Sequence, residues 1–293
     1  MKSDKFKILG LEFNKRQTLI SLAVALGVFI VLLILNLCGV SISWYGVLIA
    51  LGFMLALVFA CKFARFRDLD SELPYDLIWW VFPFSIVGAR LYYVIFEQIT
   101  FFWDAFRVWD GGLAIYGGII GGAIGLIICC LIKKVSIIKT MDIVAPVLLL
   151  GQGIGRIGCY MAGCCVGNEV TNPSLQWFPI SYYVHGGWHL ATFFYECVFD
   201  IIGFFILFKL LKTFKEKGLV TSSYLVYYGL LRFILEGFRE VKNDNALIIA
   251  GTDIKVSRLL SIILVLIGTI SLCYILIKRA RSNKENEIEI EKS

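Results

Sequence analysis

The chain has 293 residues, 59% of them hydrophobic and 17% charged, with a mean hydropathy of +0.81. Soluble domains carry roughly 45–50% apolar and about 25% charged residues, so the composition excludes a soluble protein and identifies a polytopic membrane protein. The net charge of +6 is no nucleic-acid footprint, because the cations follow a membrane pattern, and no nucleic-acid partner is expected.

Residues 1–17 are polar and basic, and an apolar run of about 18–40 follows. That run is too long for a signal-peptide core and reads as a retained helix. Further spans are predicted over about 44–61, 77–97, 112–132, 142–165, 191–211, 220–238 and 257–277, giving an all-α protein of eight transmembrane helices. A loop rich in aromatics, with Phe101, Phe102, Trp103 and Trp109, reads as an interfacial belt. A longer polar loop, about 166–190, holds both histidines, and the charged tail from 279 is expected to be disordered. Of the 28 Lys and Arg, 20 fall on one set of alternating segments and 3 on the other. By the positive-inside rule this predicts that both termini are cytoplasmic and that the 166–190 loop is extracytoplasmic.

Arg90, Arg156 and Arg232 each lie inside a span. An unpaired arginine at the bilayer centre costs at least about 2.5–3.5 kcal/mol on insertion scales, so each marks a functional position or an ion pair. Glu236 is four residues after Arg232 and can pair with it on one helical face. Asp142 can neutralise another arginine. Three arginines against few intramembrane carboxylates favour a cavity for an anion, and guanidinium forks suit phosphate. A phosphate among apolar helices belongs most naturally to a phospholipid. Ion pairing without a ligand is the alternative.

The stretch GGLAIYGGIIGG, 111–122, has glycines spaced for close helix packing. The same glycines, Gly117 and Gly118 among them, would let a lipid pass close to the Tyr116 hydroxyl. The segment GQGIGRIGCYMAGCCVG, 151–167, adds Cys159, Cys164 and Cys165 beside Arg156. Their C-x4-C-C spacing is not a typical zinc pattern, and His185 and His189 lie some 20 residues away, so neither a metal nor a cofactor is expected. The three thiols read either as small packing residues or as a redox pair.

An ordered series of motifs resembles the bacterial prolipoprotein diacylglyceryl transferases: WYG at 44–46, GARLYYVIFE at 88–97, FRVWDGGLAIYGG at 106–118, DIVAPVLLLGQGIGRIG at 142–158, TFFYE at 192–196 and RFILEGFRE at 232–240. The resemblance covers about 42–275, with residues 1–41 as an added terminus and helix and 279–293 as a tail. It implies a bacterial plasma-membrane enzyme. Such enzymes move the diacylglyceryl group of phosphatidylglycerol to the lipobox cysteine of a prolipoprotein signal peptide. It further implies that Arg156 and Arg232 bind the phosphate and that Glu236 orients Arg232. Arg239 would meet the head group or the peptide, and Tyr116 would hydrogen-bond the thiol or the ester. Tyr45, Arg90, Gly117, Gly118 and Asp142 would line or support the site. The family's N-F-x-N-x-E after G-R-x-G is replaced here by Cys159-Tyr160-Met161-Ala162-Gly163-Cys164. This departure leaves open a related transfer to another acceptor, or a non-enzymatic lipid-binding or redox-sensing protein.

Overall fold

The computed structural model describes residues 5–8, 11–14, 44–96, 112, 114–239 and 256–292. It contains helices α1 (Trp44–Phe63), α2 (Leu73–Phe96), α3 (Ile115–Ile132), α4 (Ile137–Ala162), α5 (Thr192–Thr213), α6 (Leu219–Glu236) and α7 (Val256–Lys292). Two small hairpins accompany them: β1 (Lys5–Ile8) with β2 (Leu11–Asn14), and β3 (Ser181–Val184) with β4 (Gly187–Leu190). The predicted first span, 18–40, and the aromatic loop lie outside the described residues.

Among the described residues, the helices of 44–67, 73–96, 115–132, 137–162 and 256–285 are long and apolar enough to cross a membrane. The helices α5 and α6 have comparable lengths, 22 and 18 residues. They are interrupted by charge, at Glu196, Asp200, Lys209 and Lys212 in α5 and at Arg232 and Glu236 in α6. Large apolar side chains face outward, as at Trp79 (79% exposed) and Ile115 (73%), the reverse of a soluble surface.

The helix α2 lies against α3 along a seam of glycine. Cβ atoms at Gly117 and Gly121 would run into the carbonyl oxygens of Gly88 and Phe84. Small residues at this spacing let two backbones touch, which is how helices associate without a hydrophobic drive. The packing reading of GGLAIYGGIIGG therefore applies to Gly117. Gly118 meets Ala89 at ordinary contact distance.

The helix α4 is central and packs on α1, α5 and α6. Ser136 caps its start and Gly163, at φ +62°, ends it. Around its first half lies a core of Phe63, Ile143, Leu149, Phe204, Phe208 and Val220. Within that core the Phe63 and Phe208 rings stack at 5.0 Å.

Two terminal regions depart from expectation. Strands Lys5–Ile8 and Leu11–Asn14 pair as an antiparallel hairpin, and Leu11 is buried in the same core as Phe63. The tail is the end of α7, a 37-residue helix, rather than a disordered segment. Its lysines, arginines and glutamates are good helix formers, and Arg279 is tied to Glu216 at 3.0 Å and to the Phe214 ring.

Candidate functional site

The site gathers on Glu196, one turn into α5 and 2% exposed. Its Oε1 accepts from Arg156 Nη2 at 3.0 Å and from Arg232 Nη1 at 2.8 Å, while Oε2 accepts from Arg239 Nη2 at 2.8 Å. One carboxylate thus holds three guanidiniums, drawn from α4, from α6 and from the segment after α6. Arg239 reaches it because residue 239 bridges Gly167 and because the Asn168 N–H donates to Phe238 O at 2.9 Å. Arg232 also contacts Glu236 at 3.3 Å, the i,i+4 pair expected from spacing. Asp200, one turn beyond Glu196, is equally buried.

The surface of α4 beside these charges is open. A Cβ at Gly151 or Gly155 would meet nothing within 4 Å. On the same helix Gly158 is covered by Tyr45, whose ring would lie 2.9 Å from an added Cβ. Between α4 and α5 an apolar cavity of about 330 Å³ is lined by Ile157, Tyr160, Phe178, Phe193, Phe194 and Cys197. Tyr116 stands 6.3 Å from the Tyr92 ring, centroid to centroid, and within electrostatic reach of Arg232 and Glu236.

The three cysteines flank Arg156. Their Sγ atoms all lie within 4.8 Å of one another, and Arg156 Nη1 donates to Cys165 Sγ at 3.3 Å. The Cys159 thiol donates to Cys165. The Arg156 and Arg239 charges stand alongside the Cys165 sulfur. The histidines brace the surrounding loop. His185 Nε2 bonds Gly163 O at 2.9 Å, and His189 Nδ1 bonds Gly167 O at 3.2 Å. His185 and Gly186, both at positive φ, form the two-residue turn between β3 and β4.

One residue expected at the site stands elsewhere. Asp142 lies 14 residues before Arg156 on one helix, about 21 Å along its axis. It is fully buried and accepts from Arg67 Nε (3.1 Å), the N–H groups of Gly218 (2.8 Å) and Thr221 (2.9 Å), and Thr221 Oγ1 (2.8 Å). Asp142 does neutralise an arginine, but that arginine is Arg67, from the loop after α1. Arg90 donates to Gly112 O at 3.0 Å and stacks on Tyr93, tying α2 to the segment that leads into α3.

Glu196 itself was visible only as the last residue of TFFYE. The available signal was the count of intramembrane acids, since Glu196 and Asp200 both sit in an apolar stretch. Three guanidiniums still outnumber the two glutamates that touch them.

A family model described as prolipoprotein diacylglyceryl transferase matches residues 32–274. The chain belongs to this family. It is 37% identical over 252 residues to phosphatidylglycerol–prolipoprotein diacylglyceryl transferase 1 of Clostridium perfringens, covering 83% of this chain and 94% of that protein. The similarly named protein of Listeria innocua is 35% identical over 259 residues, 84% of this chain and 88% of its own length. That of Streptococcus agalactiae is 38% identical over 244 residues, 80% and 91% respectively.

Proposed function

We propose that the protein transfers the diacylglyceryl group of phosphatidylglycerol to the lipobox cysteine of prolipoproteins in the bacterial plasma membrane. The observation that carries this reading is the convergence of Arg156, Arg232 and Arg239 on Glu196 beside the open glycine face of α4. Relatives named for this transfer cover most of the chain.

Each guanidinium has five N–H donors. Glu196 fixes the orientation of all three groups before substrate arrives, so stabilising the leaving phosphate needs little reorganisation. Arg156 and Arg232 hold the phosphate, with Glu236 steadying Arg232. Arg239 meets the glycerol head group or the peptide. One acyl chain runs over Gly151 and Gly155, and the Tyr160 cavity takes apolar substrate. The acceptor thiol gives up its proton to solvent, and its sulfur attacks the glyceryl carbon that carries the phosphate ester. An S–C bond forms, the C–O bond breaks, and glycerol 1-phosphate leaves. Tyr116 is within reach to hydrogen-bond the ester, and Tyr45 closes the site over Gly158. Asp142, Arg90 and Gly117 act as supports of the frame rather than as contacts to lipid.

In this reading the chain has eight spans with both termini cytoplasmic, and the 166–190 loop stands outside with the Glu196 end of the bundle. The 20-to-3 cation asymmetry supports that orientation. The test is direct. Purified protein with phosphatidylglycerol and a lipobox peptide is expected to release glycerol phosphate and to add a diacylglyceryl mass to the peptide cysteine. A preparation that binds the lipid and releases nothing would overturn the proposal.

A further inference from the structure

Helix α4 ends in a motif that gathers sulfur. The Gly163 N–H donates to Tyr160 O at 3.3 Å and the Cys164 N–H to Cys159 O at 3.1 Å. These are the two bonds of a Schellman end, with glycine in the left-handed conformation. Such an end brings the side chains at its first and last positions together, a contact normally made by two apolar groups. Here those positions are Cys159 and Cys164. Cys165, itself left-handed at φ +59°, turns the chain back so that a third thiol joins them. His185 and Thr192 hold the turn through Gly163 O and Cys165 O at 2.9 and 2.7 Å. The linear spacing that argues against a metal therefore says little, because the cluster is made by the helix end and not by a Cys-x2-Cys loop.

Three features give the cluster its chemistry. First, three zinc-bound thiolates at about 2.3 Å from the metal stand about 3.8 Å apart in a tetrahedron. The Sγ atoms, within 4.8 Å of one another, need to close by at most about 1 Å. Second, Cys159 is buried, Cys165 half-buried and Cys164 exposed, so the trio has one face toward the outside of the helix end. Third, the charges complement. A divalent cation with three thiolates carries one net negative charge. The guanidiniums in contact around Glu196 and Glu236 carry one excess positive charge. The Arg156 N–H on Cys165 Sγ is the kind of outer hydrogen bond that orients a ligand.

We propose that Cys159, Cys164 and Cys165 bind a zinc ion as three thiolates, and that the open fourth position takes the acceptor thiol of the prolipoprotein. The inference rests on the diacylglyceryl-transfer reading for its substrate. Zinc with three protein ligands and one open position is the catalytic pattern, and a coordinated thiol is deprotonated outright. The acceptor S–H gives its proton to solvent on binding. The zinc-bound sulfur then forms the S–C bond as the C–O bond to phosphate breaks. The leaving oxygen keeps the electron pair beside Arg156, and the thioether, a weaker ligand than a thiolate, departs. Zinc neither gains nor loses an electron in this cycle. Thiol activation and phosphate stabilisation thereby sit on neighbouring atoms, joined by the Arg156–Cys165 contact.

The full-length protein, purified without chelator in lipid nanodiscs, tests this. About one zinc per chain is expected. Cobalt exchanged into the protein is expected to give thiolate-to-cobalt charge-transfer bands and tetrahedral ligand-field bands. A lipobox peptide shifts the ligand-field bands, and its Cys→Ser version does not. Cys159→Ser, Cys164→Ser and Cys165→Ser each lower metal affinity by about 100-fold or more, beyond the usual loss for an outer-shell partner. A folded control is each variant's retained binding of phosphatidylglycerol vesicles. Zinc-free protein that remains folded and turns over at the full rate overturns the proposal. So do thiols that resist alkylation until reductant is added, which mark a disulfide instead. Zinc and peptide binding without glycerol phosphate release supports the metal site and rejects the transfer reading. Release by protein that binds no metal does the reverse.

Discussion

A buried carboxylate holding arginine lies near each end of α4, Asp142 on α4 itself and Glu196 on the neighbouring α5, and the two are built to opposite ends. At the Asp142 end a single guanidinium, two backbone N–H groups and a hydroxyl fill the carboxylate. One anion meets one cation, Arg67 and Asp142 are both sealed from solvent, and no room is left for a ligand. At the other end one carboxylate receives three guanidiniums whose side chains keep 15–21% exposure. Charge there is unbalanced, glycine replaces bulk on the neighbouring helix face, and, among the described residues, guanidiniums alone donate to the carboxylate. Burial of ions by itself therefore does not distinguish scaffold from site. The ratio of cation to anion, and the space beside it, does.

Removing one cation from the unbalanced end breaks the contrast most strongly. Arg156→Ala is expected to lower glycerol phosphate release by about 10²–10³-fold, the scale of losing one preorganised donor to a leaving group, while the folded protein still forms. Release assays alongside a thermal unfolding curve check both halves. Asp142→Ala acts the other way round. It strands the buried Arg67, costs about 3–5 kcal/mol, and is read as a fall in unfolding temperature and in folded yield. The surviving folded fraction still binds phosphatidylglycerol.

The glycines sharpen the same contrast at smaller scale. Gly121→Ala drives a methyl into Phe84 O across the α2–α3 seam and is expected to cost about 1–3 kcal/mol, visible in the unfolding midpoint. Gly155→Leu meets open space and shifts stability by no more than about 0.5 kcal/mol, yet raises the KM for lipid by occupying the face of α4 where an acyl chain lies. A Gly155→Leu protein with unchanged KM would remove the lipid from that face.

What could be read in the sequence was what local spacing determines. The Arg232–Glu236 pair follows from one helical turn, and Arg156 stood out because its span is otherwise apolar. The hub did not stand out. Glu196 binds residues 40, 36 and 43 positions away, and only the packing of α4, α5 and α6 brings them to one carboxylate. Arg67 looked like an ordinary member of a charged loop, but it is buried with Asp142, 75 positions on. The cysteine cluster escaped a spacing argument because a helix end, not a short loop, folds it. The amino-terminal hairpin was hidden by its lysines. The alternation of Phe6, Ile8, Leu11 and Phe13 around Gly10 is a strand pattern that charge counting overlooks.

The position of the hub in the chain has a bearing on how the protein is made. Arg156 leaves the ribosome before Glu196, and Arg232 and Arg239 leave after it. Helix α4 enters the bilayer carrying an unanswered charge, and the very next helix brings the carboxylate that answers it. Once α5 is in place, α6 arrives to a waiting acceptor. In the proposed eight-span arrangement the order of synthesis is thus an order of electrostatic rescue, with one residue linking three successive helices. A truncation after α4 would strand Arg156 in lipid, and one after α5 would leave it partnered, so nascent chains stopped at these two lengths should differ in membrane retention.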